Sequence, residues 1–355
     1  MALYFAIFLT TVLATFIPWK AIGSLSRIQW ILSGVVLIII IGLRHNVGGD
    51  WGNYIFNYAY LEGMKWSEAK LIILMQDPGY GFIYWFSLKY LNGNGIYATN
   101  LICATIFVIG LIKLCRSLSP MPWLALVIAM PFVILIVSMG YTRQSAALGF
   151  LMYGIVGLVN GKYLQYYMLL VIGSLFHSTL IVMVFVGILY NYKFTIRKNI
   201  GVIIFALLIV QLIIFKKDQL DFLIYHYITN TELKSEGAML RVLINAIPAL
   251  IMIMYRDKFR ERFDDTRLWL ILSLMAILLI PASYYISTVA DRIAIYSTPL
   301  QLIVLSRFPV LIQSINLRTL FVIVVITMYL LSMVVWLNYG IHASRWMPYE
   351  NFILQ

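Results

Sequence analysis

The sequence predicts an all-α, polytopic integral membrane protein, a helical bundle that forms a single transmembrane domain over residues 1–355. Composition is the first reason, since hydrophobic residues make up 62% of the chain and charged residues 11%, whereas a soluble domain averages about 25% charged residues. Spacing is the second reason, because the apolar residues form segments near the roughly 20 residues that a spanning helix needs. We therefore expect roughly 11 to 12 transmembrane helices.

Ten of the expected spans can be read directly from the sequence. They are residues 2–18, 28–43, 95–113, 121–139, 143–160, 199–215, 239–255, 268–286, 290–308 and 319–339. Residues 162–192 are too long for one helix and are divided by Phe176, His177 and Ser178, which predicts two short helices or one broken helix. Residues 79–91 are short and aromatic, as in an interfacial helix. The first segment has no basic n-region, which favours a retained helix over a cleaved signal peptide.

Basic residues orient the bundle, because cytoplasmic loops of membrane proteins carry an excess of Lys and Arg. The loop RDKFRERFDDTR is the strongest such marker, and its acidic pair, Asp264 and Asp265, is interpreted as a solvated charge cluster. This bias also explains the net charge of +12 without a nucleic-acid partner. The basic residues of the predicted cytoplasmic side are Lys20, Arg27, Lys113, Arg116, Lys162, Lys193, Arg197, Lys198, Arg256, Lys258, Arg260, Arg262, Arg267, Arg307 and Arg318.

The opposite side collects the unusual charges, both chain termini and two long loops, residues 44–79 and 216–238. Long loops in a compact protein are usually functional or disordered, and the aromatic content here favours function. An Arg at or inside a membrane boundary is a functional-site hypothesis by default. A guanidinium can also grip a phosphate with two parallel hydrogen bonds. The candidate phosphate-binding residues are Arg44, Arg143, Arg241 and Arg292.

Two residues are candidates for a general base. His177 interrupts an apolar segment and can accept a proton near neutral pH, although a lone membrane His is often a hydrogen-bonded packing residue. Asp50 lies in a glycine-rich turn, where it could act as a base, bind sugar or pair with Arg44. For Arg143 and Arg241 the alternative is that the side chain extends to the lipid headgroups, and Asp77 could simply stabilise a turn.

Metal and disulfide chemistry are not indicated. Cys103 and Cys115 lie on or at the end of one apolar segment, and the sequence has no Cys/His cluster with metal-binding spacing. We therefore expect neither a metal nor another cofactor.

An ordered set of short motifs resembles the EpsG-like branch of the Wzy polysaccharide polymerases. The set spans most of the chain, and it begins with RxxVGxDxxxY, which here carries one extra glycine before the Asp. The matching residues are Arg44, Val47, Gly48, Asp50 and Tyr54, then Asp77, Gly79 and Tyr80, then Arg143 and Gln144, then His177 and Ser178, and finally Arg292 and Tyr296.

The resemblance implies a metal-independent glycosyltransferase of the bacterial inner membrane, similar to the GT-C class. Such enzymes transfer a growing glycan from one undecaprenyl diphosphate to the sugar of another lipid-linked repeat unit on the periplasmic side. Besides these substrates and the membrane lipids, a chain-length regulator and a flippase are the implied partners. The four arginines would hold the diphosphate, and His177 or Asp50 would deprotonate the acceptor. The implied sugar or phosphate contacts are Tyr54, Asp77, Tyr80, Gln144 and Tyr296.

Three other functions fit the same features. An O-antigen ligase-like transferase would use the same donor, and a membrane acyltransferase would modify glycans. A flippase or other transporter also needs basic residues in a membrane cavity, but inverted-repeat transporters carry internal repeats. The sequence has no repeat with a convincing period, and its unusual charges favour one side.

Overall fold

The computed structural model describes residues 1–17, 24–75, 77–91, 94–191 and 238–354. The described residues are almost entirely helical, which confirms the predicted all-α class. The predicted span 199–215 and the predicted loop 216–238, except for Ala238, lie outside the described residues. The α-helices are α1 (Ala2–Thr15), α2 (Ser24–Gly42), α3 (Trp51–Leu61), α4 (Trp66–Met75), α5 (Pro78–Tyr90), α6 (Gly95–Leu118), α7 (Pro122–Ala129), α8 (Thr142–Val159), α9 (Tyr163–Ser174), α10 (Met183–Tyr190), α11 (Ala238–Leu243), α12 (Ala246–Met254), α13 (Arg256–Arg262), α14 (Thr266–Tyr285), α15 (Ser287–Tyr296), α16 (Pro299–Arg307) and α17 (Ile315–Tyr339).

Shorter elements complete the described part of the chain. A π-helix, Met130–Ser138, continues α7, and 3₁₀ turns cover Ser178–Val182, Phe308–Leu311, Ala343–Trp346 and Phe352–Leu354. Strand β1 (Arg44–His45) pairs antiparallel with β2 (Glu350–Asn351), with Arg44 opposite Asn351 and His45 opposite Glu350.

Membrane-spanning helices are evident by length and composition. Among the described residues, α6, α14 and α17 are each long and apolar enough to cross a bilayer. Two further spans result if the bent segments 238–262 and 287–311, which turn by 74° and 47°, each count as one. Shorter apolar helices cover 2–15, 26–42, 122–138 and 178–190. The protein is therefore an all-α polytopic membrane protein, while the full number of spans stays a prediction.

The segment from α7 into the π-helix forms the centre of the bundle. Its residues from Trp123 to Leu135 are all buried, as expected of a helix that is hydrophobic on every side. Pro131 has no amide hydrogen to donate to the preceding turn, and the helix changes from α to π geometry at this point. Helices α1, α16 and α17 pack around this segment. The segment ends at Ser138, just before the start of α8, so it supports the residues around Arg143.

Helices α6 and α8 cross at two glycines that bring the backbones into close contact. A Cβ atom added to Gly110 would lie 2.1 Å from the backbone oxygen of Gly149, and one added to Gly149 would lie 2.6 Å from that of Ile106. Small residues allow this kind of close approach between membrane helices. The crossing fixes α8, and with it the position of Arg143 in the first turn of α8.

The predicted break at residues 176–178 is confirmed. Helix α9 ends at Ser174, and the chain turns back through the 3₁₀ segment into α10. The two arms pack antiparallel, because the Tyr166 hydroxyl donates to the backbone oxygen of Met183 at 2.6 Å. His177 therefore lies at the tip of a helical hairpin.

Two sets of contacts mark the two ends of the bundle. At one end, Tyr4 donates to the backbone oxygen of Trp346 and β1 pairs with β2, so segments near both termini meet there. At the other end, Trp30 stacks on Trp123 with ring centroids 4.0 Å apart. Helix α6, which is 24 residues long, connects the two ends.

The second end contains a buried ion pair that corrects one prediction. Asp265 was expected to be solvated, but it is 4% exposed. The Nη1 and Nη2 atoms of Arg307 lie 2.6 and 2.8 Å from its two carboxylate oxygens. Trp269 also donates to Asp265 at 2.9 Å. A carboxylate in a basic loop looks solvated from local sequence because its partner here lies 42 residues away.

A buried amide network joins α12, α16 and α17, and it yields a stability prediction. The Tyr329 hydroxyl donates to Gln301 Oε1 at 2.8 Å, and Gln301 donates to Asn245 at 3.1 Å. Tyr329→Phe should leave the amide oxygen buried without its donor, at a cost of about 1–3 kcal/mol. The midpoint of thermal unfolding in detergent should therefore fall. Ser332→Ala on the exposed face of the same helix is the control, and an equal shift in both variants would contradict the prediction.

Candidate active site

The Arg44 side chain is buried and hydrogen-bonded inside the protein, rather than exposed in an open cavity. It is 1% exposed, and its guanidinium donates to the backbone oxygens of Ile41 and Val47 and to the Thr142 hydroxyl. These bonds connect the end of α2 to the start of α8. The expected direct contact between Arg44 and a diphosphate is therefore corrected, because the carbonyls of its own loop occupy the guanidinium.

The loop after Arg44 requires a glycine at position 48. Its φ angle is +114°, a backbone conformation that residues with a side chain rarely adopt. A Cβ atom there would also lie 2.1 Å from the backbone oxygen of Met139. The loop thus packs directly on the segment that precedes α8, and this contact positions the next charged residue, Asp50.

Arg143 and Asp77 form the ion pair that organises the site. Arg143 Nη1 lies 2.9 Å from Asp77 Oδ2, and the Arg143 side chain is 37% exposed. The other carboxylate oxygen of Asp77 accepts from the backbone nitrogen of Ser178 at 3.4 Å. Asp77 therefore joins the start of α5, the start of α8 and the tip of the α9–α10 hairpin.

Four tyrosines, Tyr54, Tyr60, Tyr80 and Tyr84, line a cavity of about 230 Å³ next to this ion pair. The rings of Tyr54 and Tyr80 lie 5.8 Å apart, and those of Tyr80 and Tyr84 lie 5.6 Å apart. The buried hydroxyls of Tyr54 and Tyr80 make no hydrogen bond of standard geometry with the part of the chain that the structure describes. Phe56 and Ile72 cover other walls of the cavity. We call this space, with Arg143 and Asp77 in its wall, the tyrosine cavity.

His177 lies behind this cavity in a polar pocket of its own. It is 7% exposed, and its Nδ1 lies 2.7 Å from the Thr179 hydroxyl and 3.1 Å from the Tyr296 hydroxyl. Gln144 donates to the backbone oxygen of Arg292 at 2.7 Å. His177, Tyr296 and Gln144 therefore connect the hairpin tip and α8 to α15.

The two remaining arginines differ in what balances their charge. Arg241 Nη2 lies 2.9 Å from Asp291 Oδ2, and its Nε donates to the other carboxylate oxygen. This bidentate pair balances the charge of Arg241, whose role as a phosphate ligand stays a prediction. Arg292, the next residue after Asp291, is exposed, and its side chain has no hydrogen bond or ion pair with the described residues. Arg292 is thus the candidate cation best placed to receive an external anion.

Asp50 is surrounded by positive charge. Partial burial raises the pKa of its carboxyl above the ordinary value of 3.8, although Arg143, Arg292, Arg345 and Arg44 act in the opposite direction. Among the charges that act on the Asp50 carboxyl, those of Arg143 and Arg292 have the largest effect.

Sequence reasoning missed the contribution of residues 344–350. Arg345 Nη1 donates to the backbone oxygen of Gly49 at 2.7 Å, and the Gly48 nitrogen donates to the backbone oxygen of Arg345 at 2.9 Å. A polar cavity of about 440 Å³ lies between this segment and residues 46–53. The sequence RWMPYEN, which combines charged and aromatic residues after the last apolar segment, is the signal that could have indicated it.

The described residues contain no group of three His, Cys, Asp or Glu side chains that could hold a metal ion. The charged groups present instead offer two arginines and a carboxylate. That arrangement can bind an anion and accept a proton from a hydroxyl group.

The fold and the site define a polytopic membrane protein with a cationic site at one end of its helical bundle. The chain belongs to the EpsG family, whose match covers residues 27–351 and therefore nearly the whole sequence. This family comprises Wzy-like polysaccharide polymerases of exopolysaccharide biosynthesis. No curated protein and no solved structure gives a significant match.

Proposed function

We propose that this protein is a glycosyltransferase that polymerises undecaprenyl-diphosphate-linked repeat units at the periplasmic face of the bacterial inner membrane. The observation that carries the proposal is that Arg143 and Arg292 come from neighbouring points of the fold, because Gln144, the residue after Arg143, donates to the backbone oxygen of Arg292 at 2.7 Å. Arg143 keeps over a third of its side chain exposed, and Arg292 is exposed as well. Two accessible guanidinium groups suit a diphosphate, and a nearby carboxylate suits an acceptor hydroxyl.

In the proposed reaction, the hydroxyl oxygen of an acceptor sugar forms a bond to the anomeric carbon of the donor glycan. The bond from that carbon to the diphosphate oxygen breaks, and undecaprenyl diphosphate leaves with the electron pair. Arg143 and Arg292 stabilise the charge that develops on the leaving group. The acceptor proton passes to a carboxylate or imidazole base.

The geometry favours Asp50 over His177 as that base. His177 is almost fully buried, and two hydroxyl groups surround its Nδ1. Asp50 is partly exposed, and the charges of both arginines act on its carboxyl. Its raised pKa also makes its carboxylate a stronger base than that of a solvated aspartate. His177 then positions Tyr296 and the hairpin tip without touching the reacting atoms.

The proposed orientation rests on the separation of charge between the two ends of the bundle. The loop that contains Arg256, Arg260 and Arg262 lies at the end opposite Arg143, and the positive-inside rule assigns such a loop to the cytoplasm. The site at the other end then opens toward the outer leaflet, where lipid-linked repeat units would be polymerised.

The test is reconstitution of the purified protein in vesicles with lipid-linked repeat units isolated from cells that lack it. We expect lipid-linked chains of several repeats to form without any other protein. A flippase would move the substrate between leaflets without lengthening it. A ligase would transfer single units only when a different acceptor lipid is added. Either of these outcomes would refute the polymerase assignment.

The pH dependence of the reaction gives a further prediction. Activity should require the Asp50 carboxylate and fall as the pH drops through its raised pKa, above the range of an ordinary aspartate. Arg345→Gln removes a positive charge that lowers this pKa, so the acid limb of the pH–rate profile should move to higher pH. Arg345→Lys retains the charge and should leave the limb in place. If the limb stayed unchanged in Arg345→Gln, a group other than Asp50 would have to set it.

A further inference from the structure

The polar cavity between residues 46–53 and 344–350 has the size of a ligand site. Its volume is about 440 Å³, within the roughly 300–1,000 Å³ of pockets that hold small molecules. Its walls come from two segments far apart in sequence, which Arg345 joins through its bonds to Gly48 and Gly49. We call this space the acceptor cavity, for the reasons that follow.

The chemistry of its walls matches a sugar ring. Sugar hydroxyls both donate and accept hydrogen bonds, so they need donors and acceptors together. Asn46 and Asn53 offer both, Arg345 offers donors and Glu350 offers acceptors. Trp51 also lines the cavity, although most of its ring is buried against His45 and Tyr97. Arg345 and Glu350 contribute one charge of each sign to these walls.

The tyrosine cavity provides the contrast. Its walls are aromatic and aliphatic, with Arg143 and Asp77 as the charged groups, which suits a diphosphate next to a lipid. The acceptor cavity is polar, and Gly49 and Trp51, the chain neighbours of Asp50, both line it. Tyr54, whose backbone nitrogen donates to the backbone oxygen of Asp50 at 3.0 Å, lines the tyrosine cavity. Asp50 is thus close in the chain to wall residues of both cavities.

We propose that the acceptor cavity binds the terminal sugar of the acceptor repeat unit and presents its hydroxyl to Asp50. This inference rests on the proposed polymerase function and identifies the part of the protein that selects the acceptor. It gives residues 344–350 a direct role in substrate recognition.

Gly52 allows a steric test that does not disturb the fold. A Cβ atom added to Gly52 meets no atom within 4 Å, and the residue lies in the first turn of α3 and lines the cavity. A side chain there should enter the cavity without displacing the protein, and Gly52→Leu should fill it more than Gly52→Ala. Ser67→Leu is the matched control, since it places the same side chain on an exposed position of α4.

The assay should measure the KM for the acceptor separately from the KM for the donor. The glycan released from lipid-linked units by mild acid, labelled at its reducing end, has no diphosphate and can only be an acceptor. With the intact lipid-linked unit as donor, we expect Gly52→Leu to raise the KM for this acceptor about tenfold or more, as steric mismatch in a binding pocket does. Gly52→Ala should raise it less, and Ser67→Leu should match the unmodified protein. An unchanged acceptor KM in Gly52→Leu, or a change confined to the donor KM, would overturn the proposal.

Direct binding distinguishes failure of this inference from failure of the proposed function. The labelled glycan should bind the detergent-solubilised protein and Arg143→Ala with similar Kd values, because the cavity does not include Arg143. It should bind Gly52→Leu and Asn53→Ala at least several-fold more weakly. Equal binding by all variants would refute the acceptor cavity even if the protein polymerises. Weaker glycan binding by Gly52→Leu and Asn53→Ala alone, with no polymer formed by the unmodified protein, would support the acceptor cavity. It would also refute the polymerase function.

Discussion

Replacement of Arg143 by alanine is expected to reduce polymer formation by about 10²–10³-fold or more, the usual effect of removing a group that stabilises developing charge. Arg292→Ala should have a similar effect. Lysine at either position should restore only part of the activity, because an ammonium group cannot reproduce the two parallel hydrogen bonds of a guanidinium. The measurement is the rate of chain extension in vesicles that contain equal amounts of each folded variant.

The ion pair with Asp77 requires a control for folding. Arg143→Ala leaves the mostly buried Asp77 carboxylate without its charge partner, which can destabilise the protein by itself. The double variant Arg143→Ala with Asp77→Asn removes that unpaired charge, and we expect it to be stable but still inactive. Arg260→Ala, in an exposed ion pair at the opposite end, should retain full activity. Polymer of normal length from the Arg143→Ala variant would exclude Arg143 from the donor site.

Replacement of Asp50 by asparagine is expected to lower the rate about 10²–10⁴-fold, the range for loss of a general base. Asparagine has nearly the same shape and can still donate and accept hydrogen bonds, but it cannot take a proton. His177→Gln should keep a substantial fraction of the activity, since glutamine can still hydrogen-bond with Thr179 or Tyr296. The comparison uses initial rates at saturating lipid-linked substrate.

If Asp50→Asn were more active than His177→Gln, His177 rather than Asp50 would be the general base. Near-normal polymer from Asp50→Asn, together with loss in His177→Gln, would return the role to the imidazole that the sequence first suggested. A pH–rate profile distinguishes catalysis from positioning in either case. Loss of a base should abolish the acid limb, whereas a packing defect should lower the rate evenly across the pH range.

Local sequence was enough for features that depend on nearby residues. The break in residues 162–192 was predictable because His177 and Ser178 interrupt an apolar run. The gathering of Arg143, His177 and Arg292 at one end of the bundle followed from counting spans and basic loops. The family match covers residues 27–351, which include all of the motifs.

Roles that depend on a distant partner were not predictable in this way. Nothing in the local sequence around Arg241 indicates its ion pair with Asp291, 50 residues away. Arg44 looked accessible, but its bond to Thr142 spans 98 residues. The neighbours of a charged side chain decide whether it can bind a ligand. Those neighbours are set by tertiary packing, which a sequence motif does not show. The role of Arg345 was not predicted for the same reason, because its partner Gly49 is 296 residues away.

The short pairing of Arg44–His45 with Glu350–Asn351 has a consequence for how the protein matures. The loop that contains Asp50 can reach its final shape only after the segment that ends in β2 has left the ribosome and arrived at the same face of the membrane. A nascent chain with its early helices already inserted would still lack Arg345 and the wall that this residue supports. We therefore expect the protein to stay inactive until residues 344–350 have been synthesised and have reached this face of the membrane.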